Sequence, residues 1–266
     1  PLRTRRFRRV VSAPKVFLQH GIMGTKHMAD FYGRSAAGFT TDLFLVSSDR
    51  EKKIIVEDFG YRPEEVRVTG LSRFDSLLAD DVPVRRQLLV IPTWRDWLND
   101  ADTYLDSEYH ARWSQLLHHP RLRALAEKQN VELVFCLHPN MQRYAHLFAD
   151  VPARVITEGG ADVQHLLKES ALLVTDFSSV GFDFGLLHRP VVYYQFDRQR
   201  FLGPRGSHLD LDNELPGPIH CSVDSLLAEI ERLVARDFTM DAGYVARADR
   251  FLTHRDRNSC ERIFQA

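Results

Sequence analysis

The sequence predicts an α/β protein built from two facing Rossmann-like domains with parallel sheets, the first of them missing its N-terminal half. Three observations point there. Short apolar or β-branched runs alternate with helical patterns nearly throughout, as βαβ units require. Several of those runs are continuously apolar, which fits strands covered on both faces. The chain has 266 residues, 44% hydrophobic and 27% charged, enough for two domains or one large one.

Taken in order, strands are expected at 15–19 (KVFLQ), 43–47 (LFLVS), 66–69 (VRVT), 87–91 (QLLVI), 131–137 (VELVFCL), 153–157 (ARVIT), 171–175 (ALLVT) and 190–195 (PVVYYQ). Helical patterns lie between them at 49–58, 73–80, 109–129, 140–148, 161–169 and 179–188, and after them at 222–236. Residues 241–265 read as two more helices, broken near the polar HRDRNS stretch. The pattern is weakest at 80–86 (DDVPVRR), charged and Pro-containing, which places a domain boundary there. A partial N-terminal domain over 1–82 would hold three strands, and a C-terminal domain over 83–266 at least five.

Composition excludes several classes. With 35 Lys+Arg against 36 Asp+Glu the net charge is −1, which argues against a nucleic-acid binder. No apolar run reaches the ~18 residues of a membrane span. Cys136, Cys221 and Cys260 form neither a disulfide framework nor a zinc spacing, which favours a cytoplasmic setting. The first fifteen residues carry Arg3, Arg5, Arg6, Arg8, Arg9 and Lys15 among Leu2, Phe7, Val10 and Val11. Such a segment suits the inner face of an anionic membrane; the alternative is a solvated connector within a longer protein. Walker A, GxGxxG, HExxH, GxSxG and Cys/His metal patterns are missing, which leaves little support for P-loop, dehydrogenase and metallohydrolase chemistry.

In open parallel sheets ligands collect beyond the carboxyl ends of the strands, so the polar residues there are the site candidates. The first strand runs into Gln19-His20-Gly21, then Gly24, Thr25 and Lys26. His20 is either a general base or a structural histidine held by a loop. After 87–91 come Thr93 and Arg95, a hydroxyl and a guanidinium able to converge on phosphate; a salt bridge for Arg95 is the alternative. After 131–137 comes His138-Pro139, the proline ending the strand. The strongest local signal is TDFSSVGFDFG: Asp176 at a strand end, Ser178 at the cap of the next helix with Ser179, and Asp183 among apolar neighbours. An ordinary cap explains one serine; the whole pattern suits a nucleotide diphosphate. Arg205-Gly206 lies in a later loop, followed by ELPGP.

In this order VFLQHGIMGTK, SSDREKKIIVEDFGYRPEEVRVTGLSRFD, IPTWRD, LHP, LLVTDFSSVGFDFGLLHRPVVYYQFD, RG and ELPGP resemble the CDP-glycerol glycerophosphotransferase family, the teichoic-acid polymerases and primases with relatives in capsule synthesis. The resemblance covers roughly residues 15–235. It implies a GT-B architecture and transfer of a polyol phosphate from a CDP-activated donor, CDP-glycerol or CDP-ribitol, to the hydroxyl of a polymer or lipid-linked acceptor, releasing CMP. It implies His20 as base and His138 near the donor diphosphate. Thr93, Arg95, Asp176, Ser178, Ser179, Asp183, Arg205 and Gly206 are then donor-binding, and Gly21, Lys26 and Arg73 acceptor-side. No cofactor is required, though a divalent cation is compatible. The chain departs from the family at Gly70-Leu71-Ser72-Arg73-Phe74-Asp75, where a proline is lost, and at Asp256-Arg257, usually Asp-Gly. A nucleotide-sugar glycosyltransferase or epimerase of the same fold, or a non-catalytic nucleotide-binding fragment, are the competing expectations.

Overall fold

The computed structural model describes residues 13–157 and 159–266, so most of the basic segment 1–15 lies outside the described residues. The described strands form two parallel sheets. β1 (Val16–Phe17), β2 (Leu43–Val46) and β3 (Val66–Val68) make the first, in that order. β4 (Gln87–Ile91), β5 (Glu132–Cys136), β6 (Arg154–Ile156), β7 (Leu172–Thr175), β8 (Val191–Tyr194) and β9 (Ile219–His220) make the second, in the order β6-β5-β4-β7-β8-β9. That is the doubly wound order, and the winding reverses between β4 and β7, where a crevice opens beyond the strand ends. Leu88 pairs with Leu172 and Ile91 with Thr175, a register that sets the residues following β4 and β7 side by side.

The expected strands all form, within a residue or two of their expected bounds, and the short edge strand β9 is additional. The helices are α1 (Ala29–Tyr32), α2 (Asp49–Glu57), α3 (Phe74–Leu77), α4 (Ala101–Leu105), α5 (Glu108–Leu117), α6 (Pro120–Gln129), α7 (Val163–Glu169), α8 (Val180–Leu186), α9 (Arg198–Leu202), α10 (Leu211–Glu214), α11 (Val223–Ala235), α12 (Ala242–Asp249) and α13 (Ser259–Gln265). The helix expected over 109–129 is two helices. The chain turns at His118–His119, the His119 ring accepts the Arg121 N–H, and Pro120, which has no N–H to lose, starts α6. The segment expected as a helix at 140–148 is a 3-10 turn over Pro139–Phe148. One turn of helix shows no 3.6-residue period, so α1, α4, α9 and α10 leave no signature in the sequence.

One apolar cluster joins Phe44, Ile55 and Phe74 of the first sheet and its helices to Leu89, Leu173, Phe182 and Tyr193 of the second. A second cluster, including Trp113, Phe135 and Leu227, covers the other face of the larger sheet. At its end the chain crosses back: the Asp75 carboxylate on α3 accepts the Ser259 and Cys260 N–H groups at 2.7 and 2.9 Å, capping α13 against the first sheet's side. Among the described residues no helix is long and apolar enough to cross a membrane.

Candidate functional site

The loop after β1 is shaped by a buried carboxylate. Gln19 adopts φ +45°, and its side-chain amide donates to the Leu45 carbonyl at 2.8 Å and to Glu51 at 3.1 Å. Glu51, on α2, also accepts the Met23 N–H at 2.7 Å and both the N–H and the hydroxyl of Ser47. Burial raises the Glu51 pKa while these hydrogen bonds pull it down. The chain is thus pinned on both sides of His20. The His20 ring lies 6.0 Å from the Tyr32 ring and, among the described residues, forms no hydrogen bond of its own. Burial first, and the Arg73 charge second, lower its pKa below the usual 6.5, so the imidazole is neutral at pH 7 and able to accept a proton.

Across the crevice, the reversal between β4 and β7 is closed by Asp176. Its Oδ1 accepts the Thr93 N–H at 2.8 Å and the Phe177 N–H at 2.7 Å. Arg95, expected at the donor's phosphates, is instead completely buried. Its guanidinium meets Asp176 at 2.8 Å and Asp197 at 2.7 and 3.0 Å, and donates to the Thr93 carbonyl at 2.7 Å. The rings of Tyr109, Phe177 and Phe201 surround it. Arg95 and Asp176 therefore build the loop that carries Thr93 and Trp94, with no face of either left for a ligand. Asp183, also expected at the donor, is turned the other way and receives Arg73 through two hydrogen bonds of 2.7 and 2.8 Å. That fork ties α8 to α3 and accounts for Arg73, expected on the acceptor side.

Ser178 and Ser179 line the crevice at half-exposed positions. The cap of α8 is Ser179, not Ser178; its hydroxyl makes no cap bond, and Ser178 accepts only a long 3.4 Å bond from the Val180 N–H. Both hydroxyls thus retain capacity for a ligand, which matters more than the weak dipole of a seven-residue helix. His138 follows β5. Its Nδ1 accepts the Asn140 N–H at 3.2 Å, leaving the proton of the neutral ring on Nε2, and its ring stacks near Trp94 at 6.1 Å. Burial lowers its pKa, opposed by the charge of Asp176.

The two sheets meet at this crevice. Gly21 sits so close to α8 that a Cβ there would lie 2.3 Å from Ser179 Oγ. Thr25 donates to the Phe177 carbonyl at 3.0 Å. Lys26 reaches from the first sheet to within 3.9 Å of Asp96 and lies 4.8 Å over the Phe201 ring. Arg205, expected beside a phosphate, pairs with Asp30, and the Gly206 carbonyl accepts the His27 N–H at 3.0 Å. Ser207 and His208 complete this clasp on the 24–28 loop, through Gly24 and the Met28 N–H. The result is a cleft of about 230 Å³ with His20, Gly21, Lys26, Thr93, His138, Ser178 and Ser179 on its walls. Arg73, Arg95, Asp176, Asp183 and Arg205 support those walls from behind or beside. Among the described residues no group of three His, Cys, Asp or Glu side chains is placed to hold a metal.

The sequence profile of the CDP-Glycerol:Poly(glycerophosphate) glycerophosphotransferase family matches residues 7–266. The chain belongs to this family. It is 28% identical over 274 residues to the minor teichoic acid biosynthesis protein GgaB of Bacillus subtilis (strain 168), covering 98% of this chain and 29% of that one. It is 29% identical over 207 residues to the teichoic acid ribitol-phosphate primase of Bacillus spizizenii, covering 77% and 49%. The chain thus spans about half or less of these relatives. Among solved structures, the wall teichoic acid polymerase TagF superposes with a TM-score of 0.68 at 20% identity, over 92% of this chain and 65% of that one. That likeness establishes the GT-B fold. Glu51, Trp94, Tyr32 and Asp197 are the neighbours of the site that motif reading passed over. A carboxylate two residues after SSD, beside a strand end, was the one available signal for Glu51.

Proposed function

We propose that this chain carries the transfer of a polyol phosphate, glycerol or ribitol phosphate, from a CDP-activated donor to an acceptor hydroxyl of a cell-surface polymer or its lipid-linked precursor, with release of CMP. The convergence of two strand-end histidines, one from each sheet, on a single cleft floored by free serine hydroxyls is the observation that carries it. The acceptor hydroxyl gives its proton to neutral His20 as its oxygen bonds to the β-phosphorus. The bond from that phosphorus to the bridging oxygen breaks in line, and CMP leaves with the bridging electrons. Charge on the non-bridging oxygens is met by the hydroxyls of Ser178 and Ser179 and by the Nε2–H of His138. Positioning and electrostatics supply most of the rate, and the base about 10²–10⁴. The scheme needs no resident cofactor. The basic segment 1–15 brings the enzyme to an anionic membrane surface, where a lipid-linked acceptor resides.

The test separates the two histidines. His20→Ala should collapse kcat and leave CDP-glycerol affinity near parental, because its interaction exists only in the transition state. His138→Ala should lose donor affinity as well. The parent's kcat/KM should rise with pH through a His20 pKa below 6.5 and then level. Binding of UDP-sugars in preference to CDP-glycerol and CDP-ribitol in a thermal-shift series, or near-parental turnover by His20→Ala, would reject the assignment.

A further inference from the structure

The clasp of the 203–208 loop on the 24–28 loop turns on one imidazole. His208 is covered on both faces, by the His27 ring at 4.6 Å and the Phe59 ring at 4.8 Å, and its side chain is only 3% exposed. Both ring nitrogens are engaged. Nε2 accepts the Met28 N–H at 3.1 Å, and Nδ1 lies 2.7 Å from Asp58 Oδ2, at the end of α2. A backbone N–H only donates and a carboxylate only accepts, so the two partners together fix a neutral ring with its proton on Nδ1. The Met28 carbonyl accepts the Phe31 and Tyr32 N–H groups that start α1, and no side chain caps that helix. Four residues do not hold a helix by themselves, so α1 depends on how the Met28 peptide is held. Lys26 and Met28 line the cleft, and Tyr32, on α1, places its ring 6.0 Å from that of His20.

A second proton on this ring has one place to go. It adds to Nε2, turns that nitrogen from acceptor into donor, and sets two N–H groups against each other at the Met28 contact. The Nδ1–H bond to Asp58 survives, so the ring keeps its anchor and the Met28 peptide loses its partner. Burial lowers the His208 pKa below the usual 6.5 against the pull of Asp58, and His27 lowers it further, so the neutral form prevails at pH 7 and the change of state falls on the acid side of 6.5. The pair borders an open polar hollow of about 510 Å³, which gives protons a way in. The other charges nearby are engaged with one another. On α2, Lys53 faces Glu57 at 3.9 Å, and Arg50 forks onto Glu214 of α10, which Arg250 also reaches. The Asp210 carboxylate accepts the Asn213 side chain, and Asp30 pairs with Arg205 and lies 3.9 Å from His27. Among the described residues, Asp58 and His27 are the titratable groups in direct contact with the ring.

Building on the transfer reaction above, we propose that His208 is a positioning residue that works as a proton-operated latch: its neutral ring holds the Met28 peptide, and with it α1 and the first sheet's wall of the cleft, and a proton on Nε2 releases them.

Hydrogen exchange read by mass spectrometry on the full chain tests the latch without the reaction. Corrected for the intrinsic rate, protection of the 28–32 amides should fall about tenfold between pH 7.5 and 5.5, the contribution of one hydrogen bond. The amides of β4 and β7 report in the same run whether the fold itself has loosened. His208→Gln puts an amide oxygen near the place of Nε2 and cannot titrate, so its protection should change by less than about threefold over that range. His208→Asn carries its amide at the Nδ1 end, leaves the Met28 N–H without an acceptor, and should show the low protection at both pH values. Asp58→Asn removes the charge that favours the protonated ring, so the transition should move to lower pH. In the transfer assay, the acid limb of log kcat/KM against pH should be steeper than unit slope in the parent, where His20 and His208 both take up a proton. It should return to unit slope in His208→Gln, with activity at pH 7.5 close to parental. Protection that does not change with pH in the parent, or that falls equally in His208→Gln, overturns the latch. A unit slope in an active parent overturns the positioning role. A chain that transfers nothing from either CDP-polyol rejects the reaction proposed above, and the exchange result then decides the latch on its own.

Discussion

Replacing Arg95 discriminates between a phosphate ligand and a structural keystone. Its side chain is 0% exposed and pairs with Asp176, also 0% exposed, and with Asp197, 7% exposed. Arg95→Ala leaves two carboxylates buried without their cation and removes the donor to the Thr93 carbonyl. Breaking a buried pair from one side costs about 3–5 kcal/mol, a large share of the roughly 5–15 kcal/mol that holds a domain together. The two pairs share one guanidinium, so the cost is not doubled. For a chain of this size the melting temperature should fall by roughly 6–20 °C, and the urea midpoint should fall with little change in slope. Arg95→Lys keeps a charge but loses the fork, and should fall between the parent and Arg95→Ala. Isothermal titration of CMP at a temperature where Arg95→Lys is folded should give an affinity within about threefold of the parent, since no guanidinium face reaches the cleft. Parental stability combined with a loss of CMP affinity beyond tenfold would refute the structural assignment and return Arg95 to the phosphates.

Gly21→Ala should lower activity by at least tenfold with modest loss of stability, because its Cβ would meet Ser179 Oγ at 2.3 Å and push the His20 loop away from α8; Gly21→Ala with Ser179→Gly should recover the lost stability, read as the urea midpoint, and no recovery would sink the contact. Stability should fall between pH 6.5 and 5, measured as the urea midpoint at pH 7.5 and 5.5. His20, His138, His208 and His220 all have pKa values lowered by burial, so the unfolded chain takes up protons first as pH falls below 6.5. Glu51, with a raised pKa, opposes them as one group against four, and an equal or higher midpoint at pH 5.5 would contradict the assignment. Deleting residues 1–15 should weaken co-sedimentation with phosphatidylserine vesicles, as should raising the salt; unchanged binding would remove the membrane role.

Strand-by-strand architecture was legible in the sequence because it is written in local patterns. Runs such as LLVI (88–91) and ALLV (171–174) are continuously apolar, as a strand buried on both faces requires, and the polar residues beyond their carboxyl ends mark the crevice. The residues that line the cleft were found in the same way: His20, Thr93, His138, Ser178 and Ser179 each follow a strand directly or within a few residues. The local patterns also placed the break between α12 and α13. They missed the turn at His119-Pro120 and the one-turn helices α1, α4, α9 and α10, where a period has no room to show.

The charged site candidates are the residues whose partners the sequence does not show. Arg95, Asp176, Asp183, Arg73 and Arg205 have the chemistry of phosphate sites, yet each is committed to a partner far away in the chain: Arg95 to Asp197 across 102 positions, and Arg73 to Asp183 across 110. The sequence by itself determined which strands form, in what class of sheet, and which uncharged or neutral groups end up at the strand tips, since these follow from interactions within a few residues. Only the tertiary structure decided whether a guanidinium faces a ligand or a buried carboxylate, and that His208 holds the Met28 peptide from 180 positions away. Coulomb attraction and cavity shape depend on distance in space, and that distance is set only when the two sheets close on each other.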